Sequence, residues 1–231
     1  MTAVFAAPLL RVRSLGLFGG TFDPVHRGHL AAARTARERL HLDAVHFVVA
    51  GRPPHKERSP LSPYPHRCAM VSLACACQPG LVPSLAEAGP DFSGAATFYS
   101  VDLVRAYRKH LARGAHLYFL IGADAFLEVG KWREPEALLD ACDFVVVSRP
   151  GFSLEQLRAA LPPNMLPRSR ERRTSSRGTL RLRRSTVHLI SSVNVPVSST
   201  DIRRRVARGR SISGLVPAAV EDYIRKQSLY R

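Results

Sequence analysis

Residues 16–30 read GLFGGTFDPVHRGHL. An apolar run stops at Gly19-Gly20, a polar loop follows, and from Gly28 the residues HLAAARTARERL are strong helix formers. Strand, glycine loop, then helix is a physical recipe for holding phosphate. Glycines let the backbone come close, and a helix start offers free N–H groups and a positive dipole end. His26 and His29 flank Gly28, three residues apart, so both imidazoles could donate to one phosphate while the Gly28 backbone approaches it. Two blander readings compete: a pair of cap or surface histidines, and a metal site. No third and fourth ligands stand nearby with zinc spacing, which weakens the metal reading. The string is not a Walker loop, because no Gly-Lys-Ser/Thr follows. Nor is it the Gly-x-Gly-x-x-Gly dinucleotide fingerprint.

The elements that must position this loop are legible as an alternation. Strand-like runs fall at Ser14–Phe18, 44–50, 116–122, 143–147 and 186–190. Helical patterns fall near 65–78, 101–112, 134–140, 153–160, 199–208 and 217–227. Such alternation predicts an α/β fold: a single, doubly wound, mostly parallel sheet with helices on both faces. In such sheets ligands bind beyond the carboxyl ends of the strands, where the loop at 19–29 lies. The predicted domain spans 14–231, after an N-terminal extension at 1–13.

The chain has 231 residues, 45% apolar and 23% charged, enough for a full core and close to a soluble average. Disorder throughout, collagen and coiled coil are excluded. No uninterrupted run of 18 apolar residues exists, so no membrane helix is expected. Met1–Leu10 lacks a basic start, which argues against a signal peptide. Cys68, Cys75, Cys77 and Cys142 form no Cys-x-x-Cys pair and read as small thiols of a reducing cytoplasm.

Charge is the unusual quantity. Lys plus Arg number 34 against 18 acids, a net +16. A polyanionic partner or substrate fits: nucleic acid, an acidic membrane surface or phosphorylated small molecules. Residues 165–185 hold eight arginines and one acid, Glu171, with little apolar periodicity. They read as a mobile basic insert. Because it follows the helix at 153–160, the insert should emerge opposite the strand carboxyl ends.

GLFGGTFDPVHRGHL resembles the first motif of the His-x-Gly-His nucleotidylyltransferase superfamily, and in detail its bacterial nicotinate mononucleotide adenylyltransferase family. Four further segments agree in order: GRPPHK (51–56), IGADAFLEVGKW (121–132), FVVVSRPG (144–151) and VSSTDIRRRV (197–206). The resemblance covers roughly residues 14–227. It implies a Rossmann-like nucleotidylyltransferase fold and AMP transfer from ATP to nicotinate mononucleotide, releasing pyrophosphate. His26, His29 and Arg203 would be catalytic. Gly19, Gly20, Thr21, Phe22, Gly28, Asp124, Ser199 and Thr200 would hold ATP, with Ser199 or Thr200 capping a helix. Lys56, Tyr99, Ser100, Trp132 and Arg149 would hold the mononucleotide, Trp132 by stacking on the pyridine ring. Trp132 as core filling is the bland alternative. Mg²⁺ is expected with the ATP phosphates and no metal site in the protein itself.

One motif departs from the family. FYSVDLV (98–104) stands where a Tyr-Thr-x-Asp-Thr-Leu stretch is usual, so Ser100 replaces the first threonine and Leu103 the second. That leaves the choice between acid and amide pyridine open. Two other readings remain: a related transferase with another phosphate acceptor, such as phosphopantetheine, and a basic nucleic-acid-binding protein. The second is not expected, because no RNA-recognition signature, zinc finger or aromatic-interleaved basic stretch is present. A homo-oligomer is compatible with the sequence.

Overall fold

The computed structural model describes residues 11–51, 61–88, 99–148, 152–167, 178–191 and 195–231. Seven strands form one sheet: β1 (Ser14–Gly20), β2 (Ala44–Val49), β3 (Leu81–Ser84), β4 (His116–Gly122), β5 (Asp143–Val147), β6 (Thr179–Arg181) and β7 (Thr186–Ile190). Their order is β3-β2-β1-β4-β5-β7-β6. All pairings are parallel except β6 with β7. The expected doubly wound α/β sheet is therefore present. Its order reverses between β1 and β4, where a ligand crevice opens.

Helices cover both faces. α1 (Arg27–Arg39), α2 (Tyr64–Cys75), α7 (Ser199–Ala207) and α8 (Ala218–Lys226) bury residues such as Ala33, Met70, Ile202 and Val220 against one face. α3 (Ser100–His110), α4 (Ala123–Phe126), α5 (Pro135–Ala141) and α6 (Leu154–Ala159) bury Val104, Phe126, Leu138 and Leu157 against the other. With both faces covered, the central strands are continuous apolar runs; Phe144, Val145 and Val146 are all fully buried.

Two strands escaped the sequence reading. β3 has four residues and contains Pro83, which lacks a ladder N–H. It sits at the sheet edge, where that lack is tolerated. β6 lies inside the basic segment at 165–185, so the described part of that segment is not a loop. Thr179, Leu180 and Arg181 pair with His188, Val187 and Thr186, while Met165 and Leu182 are buried. The segment starts on the expected side: Arg183 N–H donates to Met165 O at 3.0 Å by the amino end of β7, while Gly178 O accepts from Leu189 N–H near its carboxyl end, because β6 runs antiparallel before the return at Leu182–Ser185. Residues 168–177, with five of the arginines, lie outside the described residues.

Candidate active site

A cleft of about 660 Å³ opens at the carboxyl ends of β1, β4 and β5. Phe18, Gly19, His26, Gly28, His29 and Asp124 line it. So do Val147, Ser148, Phe152, Val195 and Val197. Polar groups suited to phosphate thus share the cleft with apolar surface suited to a flat ring.

The two histidines are held by the start of α1. His26 is its N-cap residue and His29 stands three positions in. His29 N–H donates to His26 Nδ1 at 3.4 Å, and His26 N–H donates to His29 Nδ1 at 3.2 Å. This is the reciprocal geometry of a capping box, with imidazoles in place of hydroxyl and carboxylate. The rings stack with centroids 3.6 Å apart. A backbone N–H can only donate, so both Nδ1 atoms are unprotonated acceptors, and each neutral ring carries its proton on Nε2. Burial pushes His26 down to about 4 and His29 well below its ordinary range, the latter helped by His26. The pair therefore enters as two neutral Nε2–H donors. The capping reading and the phosphate reading are compatible, since each uses a different ring nitrogen. With both Nδ1 atoms engaged, the pair offers no chelate.

Two glycines make room. A Cβ at Gly28 would stand 3.1 Å from the His26 ring and 3.1 Å from Val197 Cγ1. One at Gly20 would meet the Phe22 ring at 2.9 Å. Phe22 itself takes φ 50° and is buried edge-on against Phe18 and His29. Its side chain is a floor under His29.

The α7 start converges on the same loop. Ser198, not Ser199 or Thr200, is its N-cap, accepting from Asp201 N–H at 3.1 Å. Ser199 lies inside the first turn and donates to Pro24 O at 2.9 Å. Arg203 Nη1 donates to Asp23 O at 2.7 Å, and its other terminal nitrogen reaches Thr200 Oγ1 at 3.5 Å. The β1–α1 loop is thereby tied to α7, from residues about 180 positions away in sequence.

Asp124 is exposed in the first turn of α4, where β4 delivers it to the cleft. Gly122 also lines the cleft; a Cβ there would meet nothing within 4 Å, so its lack of a side chain is not demanded by packing. Trp132 is half-buried rather than core, edge-on to Phe119 at 6.4 Å. Phe119 Cζ in turn lies 3.6 Å from where a Gly19 Cβ would stand. Tyr99 and Ser100 form the start of α3, and Arg133 lies 4.6 Å over the Tyr99 ring. Leu103, in the second threonine position, is buried in the core and presents nothing to a ligand. Gly20, Thr21, Phe22, Ser199, Thr200, Arg203, Tyr99, Ser100 and Trp132 are not among the residues that line the cleft. Lys56 and Arg149 lie outside the described residues.

Several contributors went unread in the sequence. Arg67 is buried and donates to the carbonyls of Thr21, Ala50, Gly51 and Ser62 at 2.6–3.0 Å, clamping the loops after β1 and β2. Glu87 is buried, accepts from Gly51 N–H at 3.0 Å, and is pushed up to about 7 by burial. Asp23 is buried and accepts from Tyr230 OH at 2.6 Å and Ser62 N–H at 3.1 Å. Ser148 Oγ is buried in the cleft wall without a hydrogen-bond partner among the described residues. Asp23 and Ser148 carried a signal, by their places inside the glycine-loop string and the FVVVSRPG segment. The other two sit in ordinary apolar or helical sequence.

Among the described residues no group of three or more His, Cys, Asp or Glu is placed to hold a metal ion. No described helix is long and apolar enough to cross a membrane. All four cysteines are free thiols.

Residues 17–205 match the cytidylyltransferase-like family. A relative from Moorella thermoacetica, named "Probable nicotinate-nucleotide adenylyltransferase", is 40% identical over 94% of this chain and 91% of its own. One of the same name from Thermus thermophilus is 41% identical over 94% and 99%. Among solved structures, Plasmodium falciparum nicotinic acid mononucleotide adenylyltransferase complexed with NaAD superposes with a TM-score of 0.68. It is 19% identical and covers 94% of this chain and 97% of that one, so it speaks for the fold.

Proposed function

The chain belongs to the cytidylyltransferase-like family, and from that premise we propose that it is a nicotinate-nucleotide adenylyltransferase of NAD biosynthesis. The 5′-phosphate oxygen of nicotinate mononucleotide attacks the α-phosphorus of ATP. The bond to the β-phosphate bridging oxygen breaks, pyrophosphate leaves, and nicotinate adenine dinucleotide forms. A phosphate monoester is mostly dianionic at pH 7, its second pKa lying near 6, so no general base is required. The protein's task is to hold two anions in line and to stabilise charge on the α-phosphate and leaving group.

The observation that carries this reading is the reciprocal cap of His26 and His29. It fixes two Nε2–H donors at a helix start in the lining of the cleft. Neutral donors need no counter-charge while the cleft is empty, and they strengthen as negative charge gathers on the α-phosphate. We assign His29 to that phosphate and Arg203 to the β- and γ-phosphates, its fork positioned by the Asp23 carbonyl. Backbone N–H groups of 20–22 and the start of α7, with Ser199 and Thr200, complete the phosphate cradle. Asp124 accepts from ribose hydroxyls, and the apolar wall with Ser148 takes the base. ATP enters as its Mg²⁺ complex, and the divalent ion supplies charge neutralisation on the phosphates. The described donors around the cleft, mostly N–H groups, suit the phosphates rather than a hard cation.

Trp132 stacks on the pyridine ring, and the start of α3, with Tyr99 and Ser100, receives the pyridine carboxylate. That helix start has no side-chain cap bond among the described residues, and its first-turn acid, Asp102, is offset by Arg105 and Arg133 at 3.7 and 4.0 Å, so its first N–H groups and dipole favour an acid over an amide. Lys56 and Arg149 belong to the same mononucleotide side. The substrates and the free thiols suit the cytoplasm.

The test is pyrophosphate release with ATP and, in parallel, nicotinate mononucleotide, nicotinamide mononucleotide and phosphopantetheine. Turnover confined to the pyridine mononucleotides, highest with the acid, is expected. Turnover with phosphopantetheine alone would move the protein to another acceptor.

A further inference from the structure

The amino ends of the strands carry a feature that adenylyl transfer does not use. Two clefts adjoin there and share His116. One, about 380 Å³, is lined by Arg108, Arg181, Arg183 and Arg184 together with Asp140 and Asp143. The other, about 640 Å³, is lined by Arg11, Arg13 and Arg113. The pair thus gathers seven arginines and two acids, and no lysine. Both acids are already engaged. Asp140 is ion-paired with Arg183, and Asp143 Oδ1 accepts from Thr186 N–H at 2.8 Å. Arg108 is fixed in place by donating to Ala141 O and Ala115 O, at 3.0 and 2.7 Å. Arg11, Arg113, Arg181 and Arg184 are exposed and make no ion pair with a described residue.

We propose that this double cleft binds the phosphate backbone of a nucleic-acid duplex without reading its sequence. A concave surface lined mainly by one sign of charge, here seven cations against two acids, focuses potential, which a convex solvated face does not. Arginine's planar fork matches phosphate oxygens in a way that an ammonium does not. No Phe, Tyr or Trp lines either cleft and His116 is the one ring there, so the row of stacking platforms that single strands use is missing. The large exposed apolar residues Leu73, Val82, Leu127 and Val195 all lie outside these linings, so nothing there would insert into a membrane. β4 runs from His116 in this cleft to Gly122 in the catalytic one, about 20 Å at a strand's rise per residue. A bound duplex therefore leaves the nucleotide cleft open. The inference does not depend on which acceptor the enzyme uses.

The experiment follows the anisotropy of a short labelled DNA duplex on titration with the full-length protein across a KCl series. Parent protein is compared with Arg113→Glu/Arg181→Glu/Arg184→Glu, three side chains without an ion pair among the described residues. Each phosphate contact contributes about 0.9 to the slope of log K against log salt. The triple variant should lose nearly 3 from that slope and bind at least about tenfold more weakly at physiological ionic strength. Its melting temperature and adenylyl-transfer kcat/KM should stay unchanged. Arg113→Gln/Arg181→Gln/Arg184→Gln serves if the charge reversal does not fold. Unchanged duplex binding in a folded variant overturns the proposal. So does parent protein that fails to bind duplex, or that binds anionic phosphatidylglycerol vesicles in preference to it.

Discussion

Replacing His29 by Ala and by Gln separates its two ring nitrogens. Nδ1 accepts the His26 N–H at the start of α1, and we assign Nε2–H to the α-phosphate. His29→Ala removes both, together with the edge contacts to Phe22 and Phe18 at 5.0 and 5.9 Å. Losing a helix-start hydrogen bond costs about 0.5–2 kcal/mol. For a chain of this size each kcal/mol lowers the melting temperature by about 2–4 °C, so a fall of a few degrees is expected. Turnover should fall by about 10²–10³, the scale for one preorganised donor. Gln is the natural residue at the third position of a capping box, and its Oε1 can accept the same backbone N–H. His29→Gln should therefore recover most of the melting temperature and little of the turnover. Calorimetry and steady-state pyrophosphate release on the parent and both variants give the comparison. If Gln restores turnover in step with melting temperature, His29 acts through the cap alone and its assignment to phosphate is wrong.

Three further outcomes are expected. Gly28→Ala adds a Cβ against the His26 ring and Val197; crowding costs about 1–3 kcal/mol, partly offset by helix propensity, while turnover drops at least about tenfold as His26 shifts. Normal turnover would mean that the ring gives way freely. Trp132→Ala should raise the mononucleotide KM by the roughly 1–3 kcal/mol of a lost stacking contact and leave the ATP KM unchanged; a variant that unfolds would make Trp132 core. The pH dependence of stability combines opposite signs. Burial holds His26 and His46 near 4, so their contribution is full above about 6.5 and is lost as pH falls toward 4. Burial raises Glu87 to about 7, so its contribution is full below about 4.5 and is lost as pH rises toward 7. Glu87→Gln should therefore stabilise the protein at pH 8, by up to about 3 kcal/mol, and hardly at all at pH 4.5. Equal melting-temperature shifts at both pH values would remove Glu87 from the titration.

Local chemistry is what the sequence determined by itself. The five central parallel strands declare themselves as continuous apolar runs, because a strand covered on both faces has no polar side to alternate with. The His26–His29 pair is legible because a glycine loop, a helix start and two imidazoles fall within one short string. The edge strands are not legible: β3 holds Pro83 and β6 sits among arginines, and an edge tolerates both because half its ladder is unpaired. The tautomer of each histidine also waited on the structure, since it depends on which nitrogen meets a backbone N–H. Arg67 and Glu87 look like ordinary sequence; their burial comes from segments far apart in the chain. Arg203 reaches Asp23 across 180 positions. The basic surplus was countable from composition and the side of the sheet followed from chain order, yet the sharing of one cleft by Arg181–Arg184 and His116 was not legible, because the antiparallel return of β6 brings them together. Side-chain types fix what a residue can do; only the long-range packing of the sheet decides which of them share a cleft.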